Sequence, residues 1–274
     1  MGKVTILPET TKNPISLIGF CAGICWGADV TDPKKNYNRG IDCIKNNHGR
    51  TIEYPDIYAV IDGYSARVIR EWYTHIGGAP TRLQASTRYI NYVDFKYVTP
   101  DSIENNHEAL QRYSDAMHMI SDTLQRLQQL GIPNEDISML LPLGMETKMV
   151  DKRNARNIAD MSRQRLCKRA NWEFRRLLKR YLKVLANYSP EWNVLVKLLM
   201  RPKCVEIGRC PEKKTCGRFS VSNRQEMWKR LGYSDQEAAF LSDAMDVYNN
   251  AQKDLFAADL NKMINGFKTV EEEE

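Results

Sequence analysis

Residues 70–89 read REWYTHIGGAPTRLQASTRY. Ser65, just upstream, is a favourable helix N-cap, so the sequence predicts a helix over residues 66–73. Gly77, Gly78 and Pro80 end that helix and open a loop. The loop offers backbone amides, hydroxyls and two arginines close together, a combination that can hold a phosphate group. Taken alone, the same loop is equally typical of a surface turn.

The segments on either side of this loop alternate between strand-like and helix-like patterns. Short β-branched or apolar runs bounded by turn residues predict strands, and apolar residues at three-four spacing predict helices. The expected strands are Val4–Leu7, Asp56–Asp62, which Gly63 ends, and Thr147–Val150, with an extended segment over Arg88–Val98. The expected helices are Ile15–Cys25, Tyr37–Asn46, Asn105–Leu130, Ala155–Leu185 and Trp192–Met200.

The composition indicates a folded globular protein of 274 residues, 42% of them hydrophobic. No apolar run approaches the roughly 20 residues that a membrane helix needs, and the first seven residues lack the apolar core of a signal peptide. We therefore expect a cytoplasmic protein without a membrane partner. The formal charge of +6 suits nucleotide phosphates, a polynucleotide or plain solubility, and does not choose among them.

Seven cysteines are scattered along the chain. An odd number without a compact disulfide pattern favours reduced thiols, and we expect no metal site. Cys204, Cys210 and Cys216 lie at even spacing and Cys167 could join them in space, so a structural zinc stays open as the alternative. Cys210-Pro211 lacks a neighbouring base, so a cysteine nucleophile is not expected.

Several separated motifs occur in a recognisable order. They are the segment Arg70–Ile76, the loop end Ser86–Tyr89, the triplet Asn154–Arg156, and Arg165 followed by Ala170–Glu173. Together they resemble flavin-dependent thymidylate synthases over about residues 15–200. The resemblance places the catalytic domain in residues 1–200 and leaves residues 201–274 as a Cys- and Lys-containing segment with a helical C-terminal extension.

The resemblance implies an α/β (α+β) fold with a central, mostly antiparallel sheet and long helices. It implies a homotetramer whose active sites, shared between subunits, bind FAD and deoxyuridine monophosphate (dUMP). The same resemblance implies that methylenetetrahydrofolate supplies the one-carbon unit, that NADPH supplies the reducing equivalents and that the product is thymidylate. The flavin carries the difficult chemistry.

By position, the resemblance assigns six residues to the nucleotide, namely Glu71, Gln84, Ser86, Thr87, Arg88 and Arg165. Arg165 matches the residue that favours ionisation of uracil N3 and is therefore the expected catalytic group. A fixed cation beside the ring stabilises the negative charge that must develop before C5 attacks an electrophile.

The flavin is assigned to Thr51, His75, Arg82, Asn154, Arg156 and Asp160. The chain departs from the family signature because Thr74 and Ile76 replace two arginines, and we hypothesise that Arg82 restores one of those charges. Ser138 stands where the family commonly has an arginine at the nucleotide site. An ion pair between Asp160 and a neighbouring arginine is the simple structural alternative for that residue.

Two other functions stay open at this point. One is a flavoenzyme of the same fold that makes another C5-modified pyrimidine nucleotide, such as hydroxymethyl-dUMP. The other is a non-catalytic nucleic-acid-binding protein built on the basic helix, in which Arg165, Arg169, Arg176 and Arg180 would share one face. Aromatic residues are sparse on that helix, which gives little support for stacking on bases.

Overall fold

The computed structural model describes residues 2–212, 214–219 and 234–236. The chain divides into two compact units, residues 1–203 and 204–274. The first unit contains all the strands of the described residues and all the residues assigned to the site. The expected helical extension after Arg218 lies outside the described residues, apart from Phe219 and the short piece at 234–236.

Four strands and ten helices form the described chain. The strands are β1 Lys3–Ile6, β2 Asp56–Ser65, β3 Thr81–Gln84 and β4 Glu146–Asn154. The helices are α1 Pro14–Cys25, α2 Pro33–Lys45, α3 Ala66–Tyr73, α4 Asp101–Glu104, α5 His107–Gln129, α6 Asn134–Ile137, α7 Ala155–Arg165, α8 Trp172–Tyr188, α9 Pro190–Leu199 and α10 Lys203–Glu206. Two 3-10 turns, Gly49–Glu53 and Ser138–Leu140, complete the set.

The strands form one antiparallel sheet in the order β1-β2-β4-β3, which confirms the predicted fold class. Alternation of side chains along β2 places Ile57, Ala59 and Ile61 in the main core, where all three are fully buried. The opposite face of the sheet carries ion pairs such as Lys148 with Asp62 (2.9 Å). That face also carries the exposed side chains of Val150 and Leu83, so it is mixed in character. One buried and one more exposed face is typical of an antiparallel sheet covered by helices on one side.

The long helix α5 confirms the prediction from its three-four stripe. Met117 and Leu124 are buried on one side of it, where they pack with Phe95 and Met145 in a second, smaller core. The side chain of Asn106 caps its first turn by accepting a hydrogen bond from the amide of Ala109 (3.0 Å). This second core supports the segment that follows residues 86–88.

The predicted single helix over residues 155–185 is wrong, because the chain breaks between α7 and α8. Asn171 caps α8 by accepting from the amides of Glu173 and Phe174, and Arg175 donates to the carbonyls of Lys168 and Ala170 in the break. The four arginines therefore do not share one face. Arg165 ends α7 and turns into the site described below, whereas Arg176 pairs with Asp101 on another side of the molecule.

Two further predictions from local patterns need correction. Gly63 does not end β2, which continues to Ser65 through a β-bulge where Gly63 adopts φ +72°. Residues 88–98 are not extended, since they form turns with one isolated bridge, Tyr97 to Met145. A strand does form nearby, but it is β3, which lies inside the segment that we expected to be a loop. β3 pairs with the edge of β4.

In the described part of the chain, no helix combines the length and the apolar character needed to cross a lipid bilayer. The seven cysteines all lie among the described residues, where each is a free thiol. Within those residues no group of three or more His, Cys, Asp or Glu is arranged to hold a metal ion.

Candidate active site

Arg165, the last residue of α7, is the centre of a polar cluster. Its Nε donates a hydrogen bond to Nε2 of His75 (2.9 Å), and its Nη1 lies 3.4 Å from Oε2 of Glu71. The guanidinium carbon stands 4.9 Å from the ring centre of Phe174, a cation–π distance. Three predicted site residues, from α3, from the turn after it and from α7, are thus brought together, and the guanidinium is held in a defined orientation.

The break between α7 and α8 contributes directly to this cluster. Asn171, the N-cap of α8, donates its Nδ2 hydrogen to Oε1 of Glu71 (3.0 Å) while its Oδ1 caps the helix. The Glu71 carboxylate is therefore held from both sides, by Asn171 and by Arg165. A continuous helix would have carried Arg165 and Asn171 along one cylinder, so the break is what aims both side chains at Glu71.

Nε2 of His75 accepts a hydrogen bond from Arg165, so the imidazole is neutral and carries its own hydrogen on Nδ1. Burial, followed by the positive charges of Arg165 and Arg153, lowers the pKa of His75 from 6.5 to about 4. The ring also meets Phe174 edge-on, with centroids 5.7 Å apart. A neutral histidine at this position keeps its acceptor nitrogen available to orient Arg165 throughout the physiological pH range.

This pKa gives the protein a defined acid sensitivity. The unfolded chain protonates His75 near pH 6.5 and the folded chain resists until about pH 4, so the free energy of unfolding falls as pH drops through that interval. Because the ring is partly exposed, solvent screening reduces the effect to about 1 kcal/mol at pH 5. In urea unfolding, the free energy of unfolding should fall between pH 7.5 and pH 5 by about 1 kcal/mol more in the wild type than in His75→Gln. His118→Gln, on the exposed side of α5, serves as control, and equal losses in all three proteins would contradict the assignment.

The turn after His75 is held against the start of α7 by two asparagines. Asn157 donates its Nδ2 hydrogens to the carbonyls of His75 (3.2 Å) and Gly77 (2.5 Å). A Cβ on Gly78 would stand 2.3 Å from Nδ2 of Asn154, and Gly78 has φ +73°, so only glycine fits there. Asn154 in turn caps α7 by accepting from the amide of Asn157 (2.9 Å).

Arg82, on β3, folds back over the end of α3. Its Nη1 donates to the carbonyl of Tyr73 (2.7 Å), and its guanidinium carbon lies 4.4 Å above the Tyr73 ring. A carbonyl at a helix C-terminus carries partial negative charge, which favours a cation at that point. The positive charge of Arg82 therefore lies beside Tyr73, which precedes His75 by two residues in the sequence.

The beginning of α7 forms a second polar group with the 3-10 turn at residues 49–53. Arg156 donates to Oε1 of Glu53 (2.5 Å) and lies 4.0 Å from Asp160, and Asp160 also pairs with Arg163 (3.0 Å). Thr51 donates its hydroxyl to the carbonyl of His48 (2.8 Å). About half of the Arg156 and Asp160 side chains is exposed (47% and 50%), so the group faces solvent as well as its partners.

The nucleotide residues of the loop after β3 form a third group. Gln84 donates to the hydroxyl of Thr147 (3.3 Å). The hydroxyl of Ser86 accepts from the amide of Arg88 (3.2 Å), and Arg88 pairs with Glu135 on α6 (3.0 Å). Thr87 lines a small pocket together with Ser138. In the described chain, the side chains of Gln84 and Arg88 thus contact β4 and α6 rather than the Arg165 cluster.

A cavity of about 890 Å³ opens elsewhere, between α8, the start of β1 and residues 97–104. Arg176, Arg180 and Lys183 line one wall, and Asp101 and Glu146 belong to its lining as well. Its walls therefore carry both signs of charge. None of the predicted site residues lines it.

Asn157, Asn171 and Phe174 are site residues to which the sequence analysis assigned no role. A usable signal existed for Asn171, because an asparagine followed two residues later by glutamate is typical of a helix start. Asn157 gave no such signal. Its function depends on carbonyl groups 80 and 82 residues away in the sequence, which no local pattern can indicate.

Residues 6–191 match the family described as thymidylate synthase complementing protein. A flavin-dependent thymidylate synthase of Pyrococcus abyssi is 26% identical over 244 residues, which cover 84% of this chain and 98% of the relative. One from Geobacter sulfurreducens is 26% identical over 232 residues, covering 81% and 97% respectively. Among solved structures, the UMP/dUMP methylase PolB from Streptomyces cacaoi, bound with 5-Br dUMP, aligns with a TM-score of 0.63 at 14% identity over 73% of this chain and 96% of that chain.

The structural similarity to PolB establishes a shared fold. The family match is broader evidence, because it spans about two thirds of the chain and includes Glu71, His75, Asn157, Arg165 and Asn171. The relatives also align over nearly their whole length. The chain therefore belongs to the thymidylate synthase complementing protein family.

Proposed function

We propose that this protein is a flavin-dependent thymidylate synthase, which methylates dUMP reductively to thymidylate with methylenetetrahydrofolate as the one-carbon donor, FAD as the relay and NADPH as the reductant. The relatives that carry this name align over nearly their full length. The observation that carries the proposal is the fixed Arg165 guanidinium, held by His75 and Glu71 above the Phe174 ring.

The chemistry of this arrangement suits activation of a pyrimidine without a thiol. The two contacts of Arg165 use two of the five N–H groups of its guanidinium, and a quarter of the side chain is exposed. Its remaining face can lie beside the N3 edge of uracil, where a fixed cation favours the ionised ring. Negative charge delocalised from N3 raises electron density at C5, the atom that accepts the one-carbon unit.

The residues at the beginning of α7 fit a flavin dinucleotide. Arg156 supplies a bidentate donor for phosphate oxygens, and the N-terminus of α7 adds positive potential at the same place. The close packing of Gly78 on Asn154 brings the backbone of the 77–79 turn to this helix start. Thr51, His75, Arg82, Asn154, Arg156 and Asp160 would hold the flavin. When bound, FAD would transfer the one-carbon unit and the reducing equivalents.

We assign the phosphate and sugar of dUMP to Gln84, Ser86, Thr87 and Arg88, with Glu71 on the side of the base. Hydroxyls and an arginine fork are suitable donors for a nucleotide phosphate. To reach the ligand, Arg88 would leave its ion pair with Glu135 and bind the phosphate instead. Breaking this pair costs little, because both side chains are more than half exposed.

The assignment places the active site between subunits of a homotetramer. In one chain, Arg88 contacts Glu135 on α6 while Arg165 contacts Glu71 on α3, and a neighbouring chain can bring the two groups together. Leu83 and Tyr89, on either side of Ser86–Arg88, are 76% and 81% exposed. Apolar side chains exposed to that extent are typical of a surface that a partner covers.

Coexpression of two inactive variants tests this arrangement. Arg165→Ala and Arg88→Ala chains should each have low activity, and their coassembled oligomers should recover about a quarter of the wild-type turnover, because a quarter of randomly assembled shared sites contain both arginines. Coexpression of Arg165→Ala with a chain carrying both substitutions is the control and should recover nothing. The absence of recovery in the first mixture, with coassembly verified, would place both arginines in one subunit.

Arg82 gives a separate test of the flavin assignment. Arg82→Ala should weaken FAD binding by about tenfold, since it removes a charge-assisted contact and the cation beside the turn. Arg112→Ala, which removes an exposed arginine on α5, is the matched control. Titration of apoprotein with FAD by fluorescence measures both, and equal affinities would remove Arg82 from the site.

The decisive experiment is a turnover assay with dUMP, methylenetetrahydrofolate and NADPH on purified, FAD-loaded protein. We expect a yellow protein that bleaches with NADPH and a product of thymidylate mass. A hydroxymethyl product would instead identify the related activity on the same fold. Protein that cannot be loaded with FAD, or loaded protein without turnover of dUMP, would contradict the proposal.

A further inference from the structure

A buried chain of polar residues runs from β4 to the turn that carries His75. Asp151 accepts two hydrogen bonds from Arg153, from Nε to Oδ2 (2.5 Å) and from Nη2 to Oδ1 (2.7 Å). Arg153 donates from Nη1 to Oδ1 of Asn157 (2.5 Å). Asp151 and Arg153 are 0% and 1% exposed, and Asn157 is 4% exposed. A charged pair at this depth requires such complete pairing.

The chain ends on backbone atoms of the site. Asn157 donates both Nδ2 hydrogens, to the carbonyls of His75 and Gly77. Its Oδ1 accepts a hydrogen bond from Arg153. The guanidinium of Arg153 itself rests on the ring of Trp72, 4.7 Å from its centroid, and Trp72 belongs to the helix that leads into His75. Each member of the chain is therefore held in one orientation, and Asn157 transfers that orientation to the turn.

We infer that Asn157 is a positioning residue for the pyrimidine site, which sets the orientation of His75 and, through the hydrogen bond from Arg165 to His75, the direction of the Arg165 guanidinium. The inference rests on the proposed function for the role of Arg165. Asn157 itself is buried and acts only through the His75–Gly77 turn. Its amide is needed because it must accept from an arginine and donate to two carbonyls at once, which neither an aspartate nor a leucine of similar size can do.

Asn36 offers a matched control in the same chain. It is also buried, donates its Nδ2 to the carbonyl of Val30 (2.8 Å) and accepts from Nη1 of Arg39 (2.8 Å). Asn36→Asp and Asn157→Asp thus make the same chemical change, retaining the acceptor for an arginine and losing the donor to a carbonyl. In both variants the new carboxylate keeps an arginine partner, so we expect both proteins to fold.

The test compares these two variants with the wild type. We expect Asn157→Asp to lower kcat/KM for dUMP on the order of tenfold to a hundredfold, because small misplacement of a catalytic group is costly, while Asn36→Asp changes it less than about twofold. Glutamine at position 157, which keeps the amide, should restore part of the loss. Equal kcat/KM in the two aspartate variants would overturn the inference.

A second readout does not depend on turnover. The chain has only four histidines, so ¹⁵N-histidine labelling resolves the imidazole of His75. In the wild type and in Asn36→Asp we expect an unprotonated Nε2 that accepts from Arg165, and in Asn157→Asp a shifted Nε2 resonance. An unchanged His75 spectrum in Asn157→Asp would refute the positioning role, whether or not the protein turns over dUMP. Absence of turnover in the wild type with the shift present would refute only the proposed function.

Discussion

Arg165→Ala should lower kcat for thymidylate formation by about 100- to 1,000-fold, the range found when one preorganised electrostatic donor is removed from an active site. The guanidinium is held by His75, Glu71 and the Phe174 ring, so no reorganisation is needed when charge develops on the base. Alanine leaves water in that place, which solvates the charge but must be reoriented. Single-turnover kinetics with dUMP measure the loss at the chemical step.

Two controls separate charge from shape. Arg165→Lys keeps the positive charge but loses the planar fork that contacts His75 and Glu71 together, so its activity should fall between the wild type and Arg165→Ala. Arg112→Ala removes an exposed arginine on α5 whose side chain is 78% exposed, and it should behave like the wild type. If Arg165→Ala turned over dUMP at the wild-type rate, activation of N3 by this residue would be wrong.

The second large effect concerns stability. Asp151→Ala should lower the free energy of unfolding by about 3–5 kcal/mol, because it leaves the Arg153 guanidinium buried without its carboxylate. Arg153 is 1% exposed, so water cannot replace the lost partner without opening the core around Trp72. Chemical denaturation at pH 7.5, followed by tryptophan fluorescence, measures the change.

The double substitution Asp151→Leu with Arg153→Met is the informative companion. Apolar residues of similar volume remove both charges, and most of the lost stability should return. Glu108→Ala, which breaks the exposed pair with Arg112 on α5, should cost less than about 0.5 kcal/mol. A double variant no more stable than Asp151→Ala would show that packing, rather than the unpaired charge, dominates the cost.

The predictions from local pattern succeeded where one interaction decides the element. The stripe on α5 predicted a helix that is present over His107–Gln129, and Ser65 caps α3 as its position indicated, by accepting from the amide of Val68 (3.1 Å). In both cases the groups that define the element lie within a few residues of one another. The same short range explains the success for the first part of β2, where residues 56–61 alternate between half-buried and buried side chains.

The failures occurred where distant contacts override a local preference. Residues 166–170 contain neither glycine nor proline and are compatible with a helix, yet the chain leaves the helix there. The observed break is stabilised by Asn171, which bonds to Glu71, and by Arg165, which bonds to His75. Likewise, residues 88–98 have strand-forming composition, but their place beside α5 in the second core favours turns.

The sequence alone determined the kind of chemistry that this protein can perform. Ordered motifs around His75, Arg88 and Arg165 specify the residue types and the family, because those identities are written directly in the chain. Only the tertiary structure decided how the groups are oriented, since Asn157, Arg153 and Asp151 form a single hydrogen-bonded chain only after β4, α7 and the 75–78 turn have packed together. Hydrogen bonds act over about 3 Å. Partners that are 80 residues apart in the sequence can therefore be identified only when the fold has brought them into contact.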